Sequence, residues 1–382
     1  MADKQRPFLD FYNEHGIAPV SQDISDLARH FARRAALYRH CGLPPAFVAG
    51  RRVLEIGPGT GHNAIFTNSL KPIRYVLLDG NLRSLNETRA RLAQHFTDIS
   101  NCTVVAGDLH DYDTNEQFDL VLCEGTLPTQ KDPQAALRRI SQLVAPGGMI
   151  IITCIDSVSW LSELLRLLLT HLLLPDEVKD MSTQLAILRP VFAPHLETLR
   201  GRSRPVDEWI QDNLLQPLLG QLLSIEDAII TLDESFDVYG ISPHFLSDWR
   251  WYKDINTNTA NYNSRAIAGY RRNIHNFLDY RFVHEEITSN AGAALHSHCV
   301  IIYELAKQTP GHTRTEIVKI INHLQKLHSV IPSVAAKTAE ALAEFIDSLK
   351  SYRRGEAFSP RLPHFSPWFG RGQQYLSFLR RE

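Results

Sequence analysis

The chain has 382 residues, 44% hydrophobic and 21% charged, a composition that excludes a disordered protein and suits one large elaborated domain or two joined ones. Forty Lys and Arg against 42 Asp and Glu leave a formal net charge of −2, so no overall field attracts nucleic acid and none is expected as a partner. Five widely spaced cysteines contain no CxxC pair, and no apolar leader follows Met1. Reduced thiols, no metal and a cytoplasmic location are therefore expected.

Residues 1–50 read as an N-terminal helical segment. Ile24, Leu27, Phe31 and Tyr38 recur at helical spacing, Ser21 or Asp23 can cap the start, and Gly42-Leu-Pro-Pro ends the run. From 51 to 154 short apolar runs alternate with helical patterns. Val53–Ile56, Tyr75–Leu78, Thr103–Ala106, Leu120–Cys123 and Met149–Thr153 are predicted strands of a parallel sheet flanked by helices. The leucine-rich stretch Trp160–Leu174 is broken by Glu163, Arg166 and His171 well short of a membrane-spanning length, so a buried helix is expected, with membrane contact at most peripheral.

Between 155 and 310 helical patterns dominate, and Phe236–Gly240 and Cys299–Tyr303 are the two segments predicted to finish the sheet. Residues 311–382 read as a helical hairpin and a tail. Thr313-Arg-Thr-Glu316 is a capping box before a periodic apolar helix, and Leu342, Phe345, Ile346 and Leu349 mark the second helix. The tail after Tyr352 carries six arginines against two glutamates, interleaved with aromatic residues. Its docking onto the fold is expected ahead of phosphate or single-strand binding. His296-Ser-His298 would share one face of a strand, but no complementary ligand set accompanies them.

The sharpest motif is Val53-Leu-Glu-Ile-Gly-Pro-Gly-Thr-Gly-His-Asn63, a buried strand running into a glycine-rich turn and then a helix. Gly57, Gly59 and Gly61 let the backbone turn sharply and bring main-chain N–H groups beside a ligand at the carboxyl end of the strand. Tyr75-Val-Leu-Leu-Asp79 ends the next strand in an acid about 20 residues on, the spacing at which a carboxylate reaches ribose hydroxyls. Val105-Ala-Gly-Asp108-Leu109 ends the third strand and Phe118–Gly125 the fourth. Leu143-Val-Ala-Pro-Gly-Gly-Met149 turns into the fifth.

These motifs, in this order, resemble the class I S-adenosylmethionine-dependent methyltransferases. The resemblance implies an α/β fold, a Rossmann-like sheet with large helical insertions and a C-terminal helical extension, and S-adenosylmethionine as cofactor. It implies cofactor binding by Glu55, Gly57, Pro58, Gly59, Gly61, Asn63, Asp79, Gly80, Asn81, Asp108 and Leu109, with Glu55 organising the site around the cofactor's amino-acid moiety, Asp79 at its ribose, and Asp108 with adjacent backbone near its adenine amino group. The N-terminal segment would cover this site. A nicotinamide-dependent oxidoreductase also places an acid after its second strand, but the GxGxG spacing and the Gly-Asp-Leu and Pro-Gly-Gly segments favour the methyl donor.

The resemblance implies in-line methyl transfer, in which alignment supplies much of the acceleration and an oxygen nucleophile benefits from a base. Glu124 is the first candidate base, although a carboxylate there can equally orient the acceptor or bind the cofactor. His15 is the second. His62, Tyr12 and Tyr38 are further candidates near the donor. The chain looks most like methyltransferases encoded among bacterial cell-surface polysaccharide genes, through segments including Glu124-Gly-Thr-Leu-Pro-Thr-Gln130 and Asp248-Trp-Arg-Trp-Tyr-Lys253. That likeness implies a polar acceptor, with a sugar hydroxyl of a glycan or its precursor as first reading. Arg204, Trp209, Asp248 and Trp251 are the acceptor-binding candidates. A protein, metabolite or nucleic-acid acceptor and a non-catalytic binding protein on the same fold remain as alternatives.

Overall fold

The computed structural model describes residues 11–12, 14–15, 22–175, 177–202, 204–216, 221–307, 314–331, 335–356 and 362–382. Seven strands form one sheet: β1 (Arg52–Ile56), β2 (Arg74–Asp79), β3 (Cys102–Ala106), β4 (Phe118–Cys123), β5 (Val144–Cys154), β6 (Phe236–Ser242) and β7 (Gln374–Arg380), in the order β3-β2-β1-β4-β5-β7-β6. β1 to β5 are mutually parallel, and β7 lies antiparallel between β5 and β6. Helices cover both faces of parallel strands, which is why β1, β2 and β4 are nearly continuous buried apolar runs rather than alternating ones. The expected α/β, Rossmann-like class with helical additions is the observed one.

Two compact units emerge. The first comprises Met1–Ile155, Leu219–Tyr270 and Gln373–Glu382 and contains the whole sheet; the second comprises Asp156–Leu218 and Arg271–Gly372. The second is helical, built on Leu161–Leu173, Met181–Glu197, Ser289–Lys307, Arg314–Val330 and Ala336–Arg353. Its interior holds Leu165, Phe192, Leu324, Phe345, Phe365 and Trp368. The leucine-rich helix Leu161–Leu173 is buried along most of its length. Among the described residues no helix is long and apolar enough to cross a membrane.

Two sequence expectations need correcting. Cys299–Tyr303 is not a strand but part of the helix Ser289–Lys307. Its β-branched run is local, whereas Leu295, Cys299, Ile302, Tyr303 and Ala306 are the buried positions, at helical spacing, with Val300 and Ile301 turned outward. His296 and His298 therefore point to different sides of a helix and make no pair. The last strand is instead Gln374–Arg380, inside the segment expected to be a tail. There Leu376 and Phe378 are buried, and the polar Ser377 is buried too, its hydroxyl donating to the Cys41 carbonyl at 2.7 Å.

The cap of the first helix, Leu27–His40, is Asp26, whose carboxylate accepts the Arg29 N–H at 2.9 Å. Asp23 instead accepts the Ser25 N–H at 3.0 Å, and Ser21 lies outside the described residues. Thr313 of the expected capping box also lies outside them. The tail arginines are engaged internally: Arg371 donates to the Asn276, Tyr280 and Phe282 carbonyls, and Arg381 pairs with Asp237 at 2.7 Å.

Candidate functional site

The strand order reverses direction between β1 and β4, and in open α/β sheets ligands bind beyond the carboxyl ends of the strands at that reversal. The glycine turn leaves β1 there, and Glu124 follows β4. Gly57, Gly59 and Gly61 have φ of +71°, +56° and +79°, the left-handed region open to glycine. Gly57 N–H donates to the Leu78 carbonyl at 2.8 Å, and Gly61 begins the helix His62–Ser69. The turn's carbonyls are tied down from the helix Leu82–His95: Thr88 Oγ1 donates to Gly59 O at 2.8 Å and Arg91 Nε to Thr60 O at 2.9 Å.

Asp79, at the tip of β2, organises the same turn. Its carboxylate accepts N–H bonds from Gly59 at 3.2 Å and Asn81 at 2.8 Å, and Asn81 in turn caps the helix Leu82–His95 through the Ser84 N–H. Burial raises the Asp79 pKa to about 6, against the lowering effect of N–H groups from Asn81, Gly59 and Gly80. The two carboxylate oxygens have about four lone-pair sites between them, more than these N–H groups fill, so the tip suits a ligand that donates hydroxyl hydrogens. Asp108 closes its own turn after β3 by accepting the His110 N–H at 2.8 Å, and Leu109 beside it is buried.

Glu55 lies within β1, 3% exposed, and accepts a hydrogen bond from the Tyr75 hydroxyl. Burial first, and the charge of Glu124 second, push its pKa up to about 7. Glu124 is held by Arg34 of the first helix through two bonds, NH1 to Oε2 at 2.8 Å and NH2 to Oε1 at 2.5 Å. Burial opposes the guanidinium's charge, but the adjacent carboxylate outweighs it and holds the Arg34 pKa well above its ordinary value. Tyr38 packs beneath Arg34 with its ring centre 5.4 Å from the guanidinium carbon, and its hydroxyl meets Thr67 Oγ1 at 2.9 Å. Beyond Glu124, Gly125 N–H donates to Thr153 Oγ1 at 2.7 Å, linking the end of β4 to β5.

The structure brings together Glu55, Gly57, Pro58, Gly59, Gly61, Asp79, Gly80 and Asn81 around one turn, with Asn63 one residue into the helix that follows. His62 is buried, its Nδ1 2.6 Å from Thr60 Oγ1 and its carbonyl 2.9 Å from His30 Nε2; burial lowers its pKa to about 4 and keeps the ring neutral near pH 7. Tyr38 is a core residue. His15 packs edge-on against Phe11 at 4.8 Å within its own short segment, and nothing among the described contacts ties it to Glu124.

Of the acceptor candidates, Arg204 pairs with Asp212 at 2.8 Å and Trp209 is interior, edge-on to Phe369, both in the helical unit. Asp248 and Trp251 belong to the sheet unit. Asp248 is gripped by Arg250 at 2.5 Å and Arg265 at 3.3 Å, while Trp251 is exposed. Arg34, Tyr75 and Thr88 are the site residues that sequence reading missed. Arg34 had a visible signal: it falls in the apolar stripe Leu27, Phe31, Arg34, Tyr38, where a charge requires a buried partner.

Residues 48–208 match the family model described as a methyltransferase domain. A curated relative, a ubiquinone biosynthesis O-methyltransferase of Aeromonas salmonicida (strain A449), is 29% identical over 109 residues, 28% of this chain and 44% of its own length. The chain thus spans less than half of that relative. Among solved structures, the N-methyltransferase NodS of Bradyrhizobium japonicum WM9, in complex with S-adenosyl-L-homocysteine, is 21% identical over 40% of this chain and 75% of its own, with a TM-score of 0.31. An S-adenosylmethionine-dependent methyltransferase of Mesorhizobium loti is 17% identical over 56% and 84%, with a TM-score of 0.35. The family match spans the glycine turn, Asp79 and Glu124, so the stretch of this chain that carries the site is the stretch similar to a methyltransferase domain.

Proposed function

We propose that the chain is an S-adenosylmethionine-dependent methyltransferase acting on a polar acceptor, best read as a sugar hydroxyl of a cell-surface glycan or its precursor. It works in the cytoplasm, with membrane contact at most peripheral. The observation that carries the donor half is the Asp79 carboxylate clamped between Gly59 N–H and Asn81 N–H at the sheet's reversal point. That clamp holds the turn in one shape and presents the remaining carboxylate lone pairs to the two ribose hydroxyls.

When bound, the donor supplies an electrophilic methyl carbon on a positively charged sulfur. Glu55, buried beside Tyr75, meets the donor's cationic amino group directly or through water, where a negative carboxylate is favoured. Asp108 and Leu109 border the adenine. Glu124 faces the acceptor: with Arg34 occupying one lone pair on each oxygen, it orients an acceptor hydroxyl through the others and receives its proton. His15 is the second candidate for that proton. Oxygen methylation is also the chemistry named for the curated relative.

Titration calorimetry with S-adenosylmethionine and S-adenosyl-L-homocysteine tests the donor assignment, with NADH as the control. Binding of the first two and not the third is expected. A folded protein that binds neither sulfur compound rejects the proposal.

A further inference from the structure

We propose that the segment between β6 and the helix Tyr262–Asn273 is a carbohydrate-docking platform on which Trp249, Trp251 and Tyr252 stack against sugar rings of the acceptor. The inference rests on the glycan reading above and deepens it, and three observations support it.

The first is placement. β6 is antiparallel to β7, and β7 to β5, so β6 ends at the same sheet edge as the glycine turn and Glu124. Ser242, the last residue of β6, is opposite Tyr375, and Tyr375 is opposite Thr153, whose hydroxyl accepts the Gly125 N–H. The loop's root is therefore two strand spacings, about 10 Å, from the strand beside Glu124.

The second is preorganised exposure. Trp249 is 93% exposed, Tyr252 71% and Trp251 59%, a concentration of uncovered aromatic surface within four residues. The backbone beneath them is fixed. Arg250 grips Asp248 through Nε and NH2 and reaches across the loop to the Thr259 and Ala260 carbonyls and Asn261 Oδ1. Thr259 Oγ1 donates to the Asp254 carbonyl at 2.8 Å. Asp248 is thus a strut within the loop, and the rings are the surface offered. The backbone's share of the ordering cost is met before a ligand arrives.

The third is the chemistry around the rings. Lys253 Nζ lies 4.7 Å from the Trp251 ring centre and 5.8 Å from that of Tyr252, and exposed amides and hydroxyls of Asn256, Thr257 and Asn258 follow directly. Aromatic faces cover the C–H surface of a sugar while amides, hydroxyls and an ammonium take its hydroxyl or carboxylate groups. An acyl chain would instead strand that ammonium and those amides in hydrocarbon.

The test is transfer of labelled methyl from S-adenosylmethionine to the surface-polysaccharide fraction of the producing organism. It compares the native chain, the triple variant W249A/W251A/Y252A and the ring-preserving W249F/W251F/Y252F. The alanine variant should bind S-adenosyl-L-homocysteine as the native chain does, keep kcat within about twofold and raise KM about tenfold or more, with the phenylalanine variant close to native. An unchanged KM in the alanine variant overturns the platform and leaves the glycan acceptor standing. A native chain that binds S-adenosyl-L-homocysteine but methylates nothing in the fraction overturns the glycan reading and the platform with it. If the alanine substitutions abolish binding to phosphatidylglycerol vesicles while KM stays unchanged, the rings serve a membrane surface and the proposal is overturned.

Discussion

The guanidinium of Arg34 and the carboxylate of Glu124 face each other in a two-pronged ion pair that joins the first helix to the end of β4, with both side chains less than one-tenth exposed. Removing one member of such a pair leaves an uncompensated buried charge, at a cost of about 3–5 kcal/mol, whereas removing both together costs much less. Urea denaturation of Arg34→Met, Glu124→Gln and the double variant should therefore give a cycle with Arg34→Met the least stable protein. The double variant should recover about 1 kcal/mol or more relative to additivity. Additive losses would show that the two groups do not support each other.

Asp79 does two things in one place, holding the turn through two N–H bonds and facing the proposed ribose. Hydrogen bonds to a charged acceptor contribute about 1.5–3 kcal/mol each. Asp79→Ala should weaken S-adenosyl-L-homocysteine binding by about 100-fold or more in calorimetry. Asp79→Asn, which keeps one acceptor oxygen, should fall between. Equal affinity in native and alanine proteins would remove Asp79 from the donor site.

Glu55 makes stability depend on pH in an unusual direction. Its folded-state pKa is raised from the ordinary 4.5 to about 7, by burial and then by the Glu124 charge. Between those values the folded chain holds a proton that the unfolded chain has lost, so this contribution is full below pH about 4.5, falls as pH rises through about 7 and is flat above. The total is about 3 kcal/mol. His62 acts oppositely: its pKa is lowered from 6.5 to about 4, so its contribution is lost as pH falls through that window. Comparing native and Glu55→Gln proteins cancels the histidine. The variant should gain relative stability between pH 4.5 and about 7 in denaturant melts and level off above, and parallel curves would reject the raised Glu55 pKa.

Much of the sheet unit could be read from local sequence because β1, β2 and β4 are buried on both faces and announce themselves as short apolar runs ended by glycine or an acid. β7 could not. Gln374 and Ser377 interrupt its apolar pattern, and its burial depends on partners far away in sequence, β5 and β6. The Cys299–Tyr303 error is the converse case, in which five β-favouring residues are overruled by the helical spacing of the positions that pack. At the site, the glycines and Asp79 were visible because a backbone conformation and a strand tip constrain residue type. The apolar stripe signals that Arg34 needs a buried partner, but which partner Arg34 or Tyr75 takes is not legible locally, because it lies 90 or 20 residues away.

The glycine turn itself supplies the last expectation, since Gly57 is constrained twice. Its φ of +71° is strained for any side chain, and a Cβ there would come within 2.1 Å of Thr126 Oγ1. Gly147 separates the two effects, because its φ is +68° but a Cβ would meet nothing within 4 Å. Gly147→Ala should thus report backbone strain alone, about 1–2 kcal/mol. Gly57→Ala should cost distinctly more in urea denaturation and also weaken S-adenosyl-L-homocysteine binding, as the turn shifts away from Thr126. Deleting the colliding atom with Thr126→Ala in the Gly57→Ala background should return part of the stability, leaving a residual loss near that of Gly147→Ala. If Thr126→Ala rescues nothing, the close approach of β4's following turn is not what requires glycine at position 57.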